Sequence, residues 1–154
     1  MKFEQNKVLQ EFDRINNSIN EYYHEIALKQ GFSDSAYAIL QAILILGDGC
    51  TQTQVYKFCC LNKQTVNSSV KRLVEDGLIE FTKGTGREVY IHFTKFGEQV
   101  AKEKILPIEQ AESEVFEEMT EEEQKEILRL MNKYLNNFKT KIRDIINDKK
   151  GFGE

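Results

Sequence analysis

Leu61-Asn62-Lys63-Gln64-Thr65-Val66-Asn67-Ser68-Ser69-Val70-Lys71-Arg72-Leu73-Val74-Glu75-Asp76-Gly77-Leu78-Ile79 reads as a short helix with both ends written into the chain, followed at once by a strand. Asn62 is a good N-cap, and Leu61 before it is spaced to pack on Val66 as a hydrophobic staple. Gly77 supplies the left-handed position after the last turn, and Leu78 falls where a Schellman motif folds an apolar residue back onto Leu73. Val66, Val70, Leu73 and Val74 share one face at helical spacing. Gln64, Ser68 and Lys71 lie opposite, flanked by Thr65, Asn67 and Arg72. A polar outer face is common on solvated helices, but these side-chain types are the ones that pair with base edges and phosphates in a major groove.

The neighbouring segments sharpen that reading. Thr51-Gln52-Thr53-Gln54 has the spacing of a capping box and opens a preceding short helix, to which Val55 and Phe58 give an apolar side. Two short helices joined by a tight turn make a helix-turn-helix. Leu78–Thr82 and Glu88–Phe93 then read as strands, with Val89, Ile91 and Phe93 alternating, around the basic, glycine-hinged tip Lys83-Gly84-Thr85-Gly86-Arg87. Helix, turn, helix and hairpin is the winged order, which offers the second helix to the major groove and the wing tip to a flanking minor groove. The implied fold class is mainly α (α+β), with a two-stranded wing hairpin and long N- and C-terminal helices.

The chain has 154 residues, 40% of them hydrophobic, and a net charge of −4. That length supports one core with terminal extensions. The net charge looks wrong for a partner made of phosphate until it is divided: residues 1–49 carry −3, 50–95 carry +3, 96–128 carry −8 and 129–154 carry +4. Phosphate attraction acts over about 8–10 Å in physiological salt, so the basic central block counts for more than the total. The acidic run Glu112–Glu126 reads as a solvated surface that discourages nucleic acid from the wrong side. No basic region followed by an apolar run opens the chain, and no segment is apolar for long enough to span a bilayer, so a cytoplasmic location is expected.

Cys50, Cys59 and Cys60 are too few and too close for a disulfide framework, and no histidine stands near them at zinc-ligand spacing. Reduced thiols are expected, with one of the adjacent pair packed inward. His24 and His92 have no ligand-spaced Cys, Asp or Glu and read as half-buried amphipathic side chains. Gly84-Thr85-Gly86 joins strand to strand and lacks the following helix of a phosphate-binding loop. No nucleophile motif is present. An enzyme is not expected, nor a cofactor or metal.

Val8, Phe12, Ile15, Ile19, Tyr22 and Ile26 recur at alternating four- and three-residue steps, a heptad seam that wants a partner helix. Ser33 or Asp34 through Leu46 forms a second helix carrying Tyr37, Leu40, Ile43 and Leu44 into the core, ended by Gly47-Asp48-Gly49. From Thr94 a helical pattern runs through Phe96, Val100, Ile105, Ile108, Val115 and Phe116. Pro107, the only proline, predicts a kink or break there. Thr120-Glu121-Glu122-Glu123 caps a last helix striped by Ile127, Met131, Tyr134, Phe138, Ile142 and Ile145. The apolar arms exceed what a module this small can cover, which predicts a twofold dimer; a monomeric bundle is the alternative. Tyr22, Tyr23, His24 and Tyr37 have the mix of aromatic walls and polar tips that small-molecule pockets use, although core packing explains them equally well.

The order of elements, the phrase from Asn62 to Ile79, the wing followed by Phe93-Thr94-Lys95-Phe96-Gly97, and the start Met119-Thr120-Glu121-Glu122-Glu123 together resemble the MarR family of transcriptional regulators. The likeness covers nearly the whole chain. It implies one domain over 1–154, with 33–97 as the DNA-binding core and 1–32 and 98–148 as dimerisation helices. It also implies a homodimer on pseudo-palindromic promoter DNA, usually a repressor, often released by a small phenolic or aromatic effector. Carried over by position, base-reading residues fall on Gln64, Thr65, Asn67 and Ser68, and phosphate contacts near Gln52, Thr53, Lys63, Lys71 and Arg72. The basic wing supplies Lys83 and Arg87. The wing departs from the family in having no aspartate beside its arginine, and Ser68 stands where many members have arginine. The competing class is a winged-helix protein-interaction module without DNA affinity.

Overall fold

The computed structural model describes residues 2–84 and 89–148. The described chain runs α1 (Lys7–Gln30), α2 (Asp34–Leu46), β1 (Cys50–Thr51), α3 (Gln52–Cys59), α4 (Lys63–Glu75), β2 (Ile79–Lys83), β3 (Val89–Phe93) and α5 (Lys95–Val100). A π turn (Ala101–Ile105), α6 (Leu106–Glu117) and α7 (Glu121–Asp148) complete it. It is mostly helical with one small antiparallel sheet, as the winged reading requires. The residues up to Glu109 form one compact unit and those from Gln110 onward another.

In the first unit α2 is the central rod. Ile39, Leu40 and Ile43 are fully buried, together with Val55 of α3, Val66, Val70 and Leu73 of α4, Ile79, Ile91 and Ile105. α2 packs on α3, α4 and the π turn, so the helix-turn-helix rests directly on it. The first two helices begin where local chemistry satisfies their orphan amides. The side chain of Asn6 accepts from Val8 and Leu9, and that of Ser33 from Ala36.

The sheet contains the expected two-stranded wing hairpin, β2–β3, and adds one short strand at its edge. Its order is β1-β3-β2, with Cys50 opposite Ile91 and Thr51 opposite Tyr90 on one side, and Ile79 opposite Phe93 through Lys83 opposite Val89 on the other. The short β1 has no sequence signal because two residues cannot establish an alternation; its partner strand lies some 40 residues on. Two apolar assignments also shift. Val74 and Phe58 are 36% and 44% exposed, while Tyr56 and Cys59 pack against the core instead of Phe58. Both exposed residues stand at the edges of narrow apolar stripes, where helical spacing alone does not decide burial.

At Pro107, where a kink or break is expected, the helix widens and continues. Leu106 donates its amide to Ala101, five residues back, and the helix widens over Ala101–Ile105 before resuming. Proline has no amide to give and its ring crowds the carbonyl of residue i−4, here Glu103. A turn with i→i+5 bonding just ahead of it displaces that carbonyl and lets the helix continue.

In the second unit α7 starts from a reciprocal cap: Glu123 N–H donates to Thr120 Oγ1 at 3.3 Å and Thr120 N–H to Glu123 Oε2 at 2.9 Å. Its stripe of Ile127, Met131, Tyr134, Phe138, Ile142 and Ile145 is exposed along its whole length. Val8, Ile15, Ile19 and Tyr22 on α1 are likewise exposed.

Candidate nucleic-acid interface

α4 is fixed at both ends. Asn62 Oδ1 accepts from the Thr65 amide at 2.8 Å. At the other end Leu78 N–H reaches Leu73 O at 2.9 Å and Gly77 N–H reaches Val74 O at 3.0 Å, the two bonds of a Schellman motif, with Gly77 at φ +71°. α3 starts from the capping box of Thr51 and Gln54, and the turn between the two helices is made by Cys60, in the left-handed region at φ +53°. The angle between α3 and α4 is thus set by short-range bonds.

Between its caps α4 keeps Val66, Val70 and Leu73 inside and leaves Lys63, Gln64, Asn67, Ser68, Lys71 and Arg72 exposed, with Thr65 half-buried beside them. Gln52 at the start of α3 donates from Nε2 to Asn67 Oδ1 at 3.0 Å. That bond ties the first helix to the outer face of the second and turns the Asn67 amide nitrogen outward as a donor. Ser68 Oγ donates to Gln64 O and Thr65 O, both at 3.0 Å, so its proton is engaged within the helix and only its oxygen can accept from outside. Lys63 Nζ lies 5.4 Å from the centre of the Tyr56 ring. Arg72 pairs with Asp76 at 3.1 Å and Lys71 with Glu75 at 3.9 Å, both on the surface. Exposed pairs of this kind are weak, so both cations can turn to another anion. Thr53 and Lys83 are exposed at the head of α3 and the end of β2. Arg87 lies outside the described residues.

The base of the wing holds a cluster the sequence did not reveal. His92 Nδ1 meets Asp48 Oδ2 at 2.8 Å, its Nε2 meets Thr82 Oγ1 at 2.8 Å, and the Phe93 amide donates to Asp48 Oδ1 at 3.0 Å. Partial burial pulls the Asp48 carboxyl upward, but the bonds from His92 and the Phe93 amide, with the charge of His92, hold it below its usual range. His24 Nδ1 likewise meets Asp34 Oδ1 at 2.7 Å. Both histidines therefore have acidic partners, 10 and 44 residues away, where no spacing rule could find them.

Beneath the helix-turn-helix a cavity of about 720 Å³ opens between α1, α2 and the turn joining α3 to α4. Tyr23, His24 and Tyr37 stand on its wall; Tyr22 does not line it and is 65% exposed. Sequence reasoning missed Ser35, Gln41 and Cys59, which line it too. Ser35 Oγ bonds Ser69 Oγ of α4 at 2.8 Å, a direct link from the cavity wall to the polar-faced helix. Burial, with Cys60 and Cys50 nearby, pushes the Cys59 thiol up to about 11, and its Sγ donates to Ala38 O at 3.3 Å. Cys59 is a packed, protonated thiol. Among the described residues no group of three or more His, Cys, Asp or Glu side chains could hold a metal ion, and no helix is long and apolar enough to cross a membrane.

The structure combines a short polar-faced helix held on a capped partner, a wing hairpin with an added edge strand and a Thr94–Gly97 corner, and the family model that matches residues 30–88 is that of the MarR family. The winged helix is of the MarR type. The MarR-type fold extends along most of the chain. A MarR family regulator from Neisseria meningitidis superimposes with a TM-score of 0.75 at 22% identity, covering 91% of this chain and 99% of that one. The Staphylococcus aureus MepR–DNA complex gives 0.65 at 18% identity, covering 88% and 99%. The Staphylococcus aureus MarR in complex with salicylate and kanamycin gives 0.63 at 17% identity, covering 87% and 91%. No curated protein sequence matches the chain. At these identities the structural likeness is one of fold. The MarR-type helix-turn-helix here is α3–α4, and its wing is β2–β3 with β1 added at the edge.

Proposed function

We propose that the chain is a sequence-specific, DNA-binding transcriptional regulator, not an enzyme, acting in the cytoplasm as a homodimer on a pseudo-palindromic promoter site. The observation that carries this reading is the outer face of α4. Gln64, Asn67, Lys71 and Arg72 face solvent on a helix capped at both ends, with Gln52 bonded to Asn67. Residues 33–97 form the reading core, and the helices in 1–32 and 98–148 provide the dimer contacts. The exposed apolar stripes of α1 and α7 support the dimer, since contiguous apolar surface of this extent is otherwise costly to leave in water. Gln64, Thr65, Asn67 and Ser68 read bases; Gln52, Thr53, Lys63, Lys71 and Arg72 meet phosphates; Lys83 and Arg87 serve the wing.

The output is repression by occlusion, with two reading helices held about 34–36 Å apart, one duplex turn. A small aromatic effector in the cavity under the helix-turn-helix releases the site. It binds one helix spacing better than the other, and the bond from Ser35 to Ser69 carries the difference to α4. The coupling is therefore reciprocal between DNA and effector.

Binding of the whole protein to random duplex, measured by fluorescence anisotropy at about 50 and 200 mM salt, tests the first step. A regulator loses affinity by orders of magnitude over that range. A winged-helix interaction module binds little at either salt concentration, and that result would overturn the proposal. On a site selected from a random library, Arg72→Ala weakens cognate and random DNA alike. Asn67→Ala removes about 1–3 kcal/mol of discrimination at one base step.

A further inference from the structure

The cavity's own charge pattern says what kind of molecule it suits. We propose that it takes an organic cation with an aromatic body in preference to an aromatic carboxylate, an inference that rests on the cavity being the effector site. Its volume of about 720 Å³ fits a drug-sized molecule. None of its lining side chains is lysine or arginine, and the one carboxylate among them is Asp34. Lys104, on the π turn, is engaged elsewhere, donating to Gln30 O at 2.8 Å over the Phe32 ring.

The amino end of α2 would ordinarily draw an anion, because its first amides point outward with the positive end of the helix dipole. Here that place is taken by the chain itself. Ser33 Oγ accepts from the Ala36 amide at 3.3 Å, and Asp34 puts its carboxylate in the first turn. An anionic ligand would have to settle beside that carboxylate. His24 Nδ1 meets Asp34 Oδ1 at 2.7 Å, and the Asp34 side chain is otherwise largely exposed, so its second oxygen can accept from a ligand. Gln41 is compatible with the same bias: its Nε2 donates to Glu109 Oε1 at 2.7 Å, which uses one of its two N–H donors and leaves its amide oxygen as an acceptor. Tyr23 and Tyr37 add aromatic side chains to the wall, the residue type that attracts a cation or a flat ring.

The test uses the full-length protein and three probes of one shape: (2-naphthylmethyl)trimethylammonium, 2-naphthylmethanol and 2-naphthoate, with salicylate as a smaller anion. Affinities come from calorimetry and thermal shift, and effect on DNA from anisotropy with a selected duplex. The cation is expected to bind at least about tenfold more tightly than naphthoate. Asp34→Asn, a near-isosteric change at an exposed position, lowers the cation's affinity about five- to tenfold and leaves that of the alcohol unchanged. Naphthoate or salicylate binding as tightly as the cation, or a cation indifferent to Asp34→Asn, overturns the charge assignment. If such an anion also shifts DNA affinity, the effector-site reading survives that failure. If no probe of any charge binds, the effector-site reading falls and the charge assignment with it.

Discussion

Replacing Gly97 with alanine isolates the contact that joins the wing to the reading helix. Gly97 lies in α5 and its backbone is not in the left-handed region, so by conformation alone an added methyl is favourable, by about 1 kcal/mol of helix propensity. Its surroundings say the opposite. A Cβ there would stand 1.8 Å from the carbonyl oxygen of Leu78, 2.7 Å from its carbon and 3.2 Å from its Cα. A methyl needs about 3.3 Å from an oxygen, so α5 and the Leu78 backbone must part by about 1.5 Å. They are held together chiefly by Thr94 N–H to Leu78 O at 3.1 Å and Thr94 Oγ1 to Gly77 O at 2.6 Å, the hydroxyl also lying 3.4 Å from Leu78 O. Losing both costs about 2 kcal/mol and the crowding about 1–3 kcal/mol more, against the propensity gain. The expected net loss is about 3 kcal/mol, or about 6–12 °C in melting temperature for a chain this size. Gly77→Ala is the comparison. At φ +71° with open space around its Cβ, Gly77 meets only backbone strain, about 1 kcal/mol. Calorimetry of both variants decides: if Gly97→Ala melts at or above the parent, or loses less than Gly77→Ala, the close approach of α5 to the Leu78 carbonyl is not present in solution.

Asp48 should make acid stability local to the wing base. Its carboxyl is depressed in the folded state, so it stabilises fully above its unfolded value and loses that contribution as pH falls through the folded one; Asp48→Asn should flatten the acid limb of a pH-dependent denaturation series below about pH 4. Of the three cysteines, Cys60 is exposed and Cys50 and Cys59 are not, so a thiol reagent at pH 8 should modify one site quickly in native protein and three after unfolding in denaturant. Ser69→Ala removes the bond to Ser35 and should cost about 1 kcal/mol of stability. It should also shrink the effect of any cavity ligand on DNA affinity, read by anisotropy with and without the ligand; an unchanged effect would show that coupling does not run through this contact.

The ends of α4 and the start of α7 were legible in the chain because a cap is a conversation between residues three to five apart. Asn62 with Thr65, Leu78 with Leu73 and Thr120 with Glu123 all lie within that reach. The phrase Thr94-x-x-Gly97 was legible as a pattern, while its reason was not: the need for glycine comes from the Leu78 carbonyl, nineteen residues earlier in the chain. β1 escaped notice for the same cause, since Cys50 and Thr51 become a strand only by pairing with Ile91 and Tyr90. Pro107 announced trouble in a helix, but whether the helix breaks or widens depends on what the residues ahead of it pack against. Ala101 and Ile105 are buried beside α2, and a break there would have lifted them out of the core.

The same limit divides the candidate site. Periodicity said which side chains of α4 face out, because burial of Val66, Val70 and Leu73 forces the rest of the helix outward. It could not say how those side chains are held. Asn67 is bonded to Gln52, fifteen residues earlier and in another helix, so the outer polar face is a joint property of α3 and α4. In the cavity, Tyr23, His24 and Tyr37 drew attention as aromatic and titratable types, yet Ser35 and Gln41 are the residues that connect its wall to Ser69 and Glu109. A serine and a glutamine in the middle of a sequence carry no distinguishing mark. Their place becomes visible only when α2 is laid beneath α4, which brings Ser35 Oγ within 2.8 Å of Ser69 Oγ while Ser35 still borders the space below.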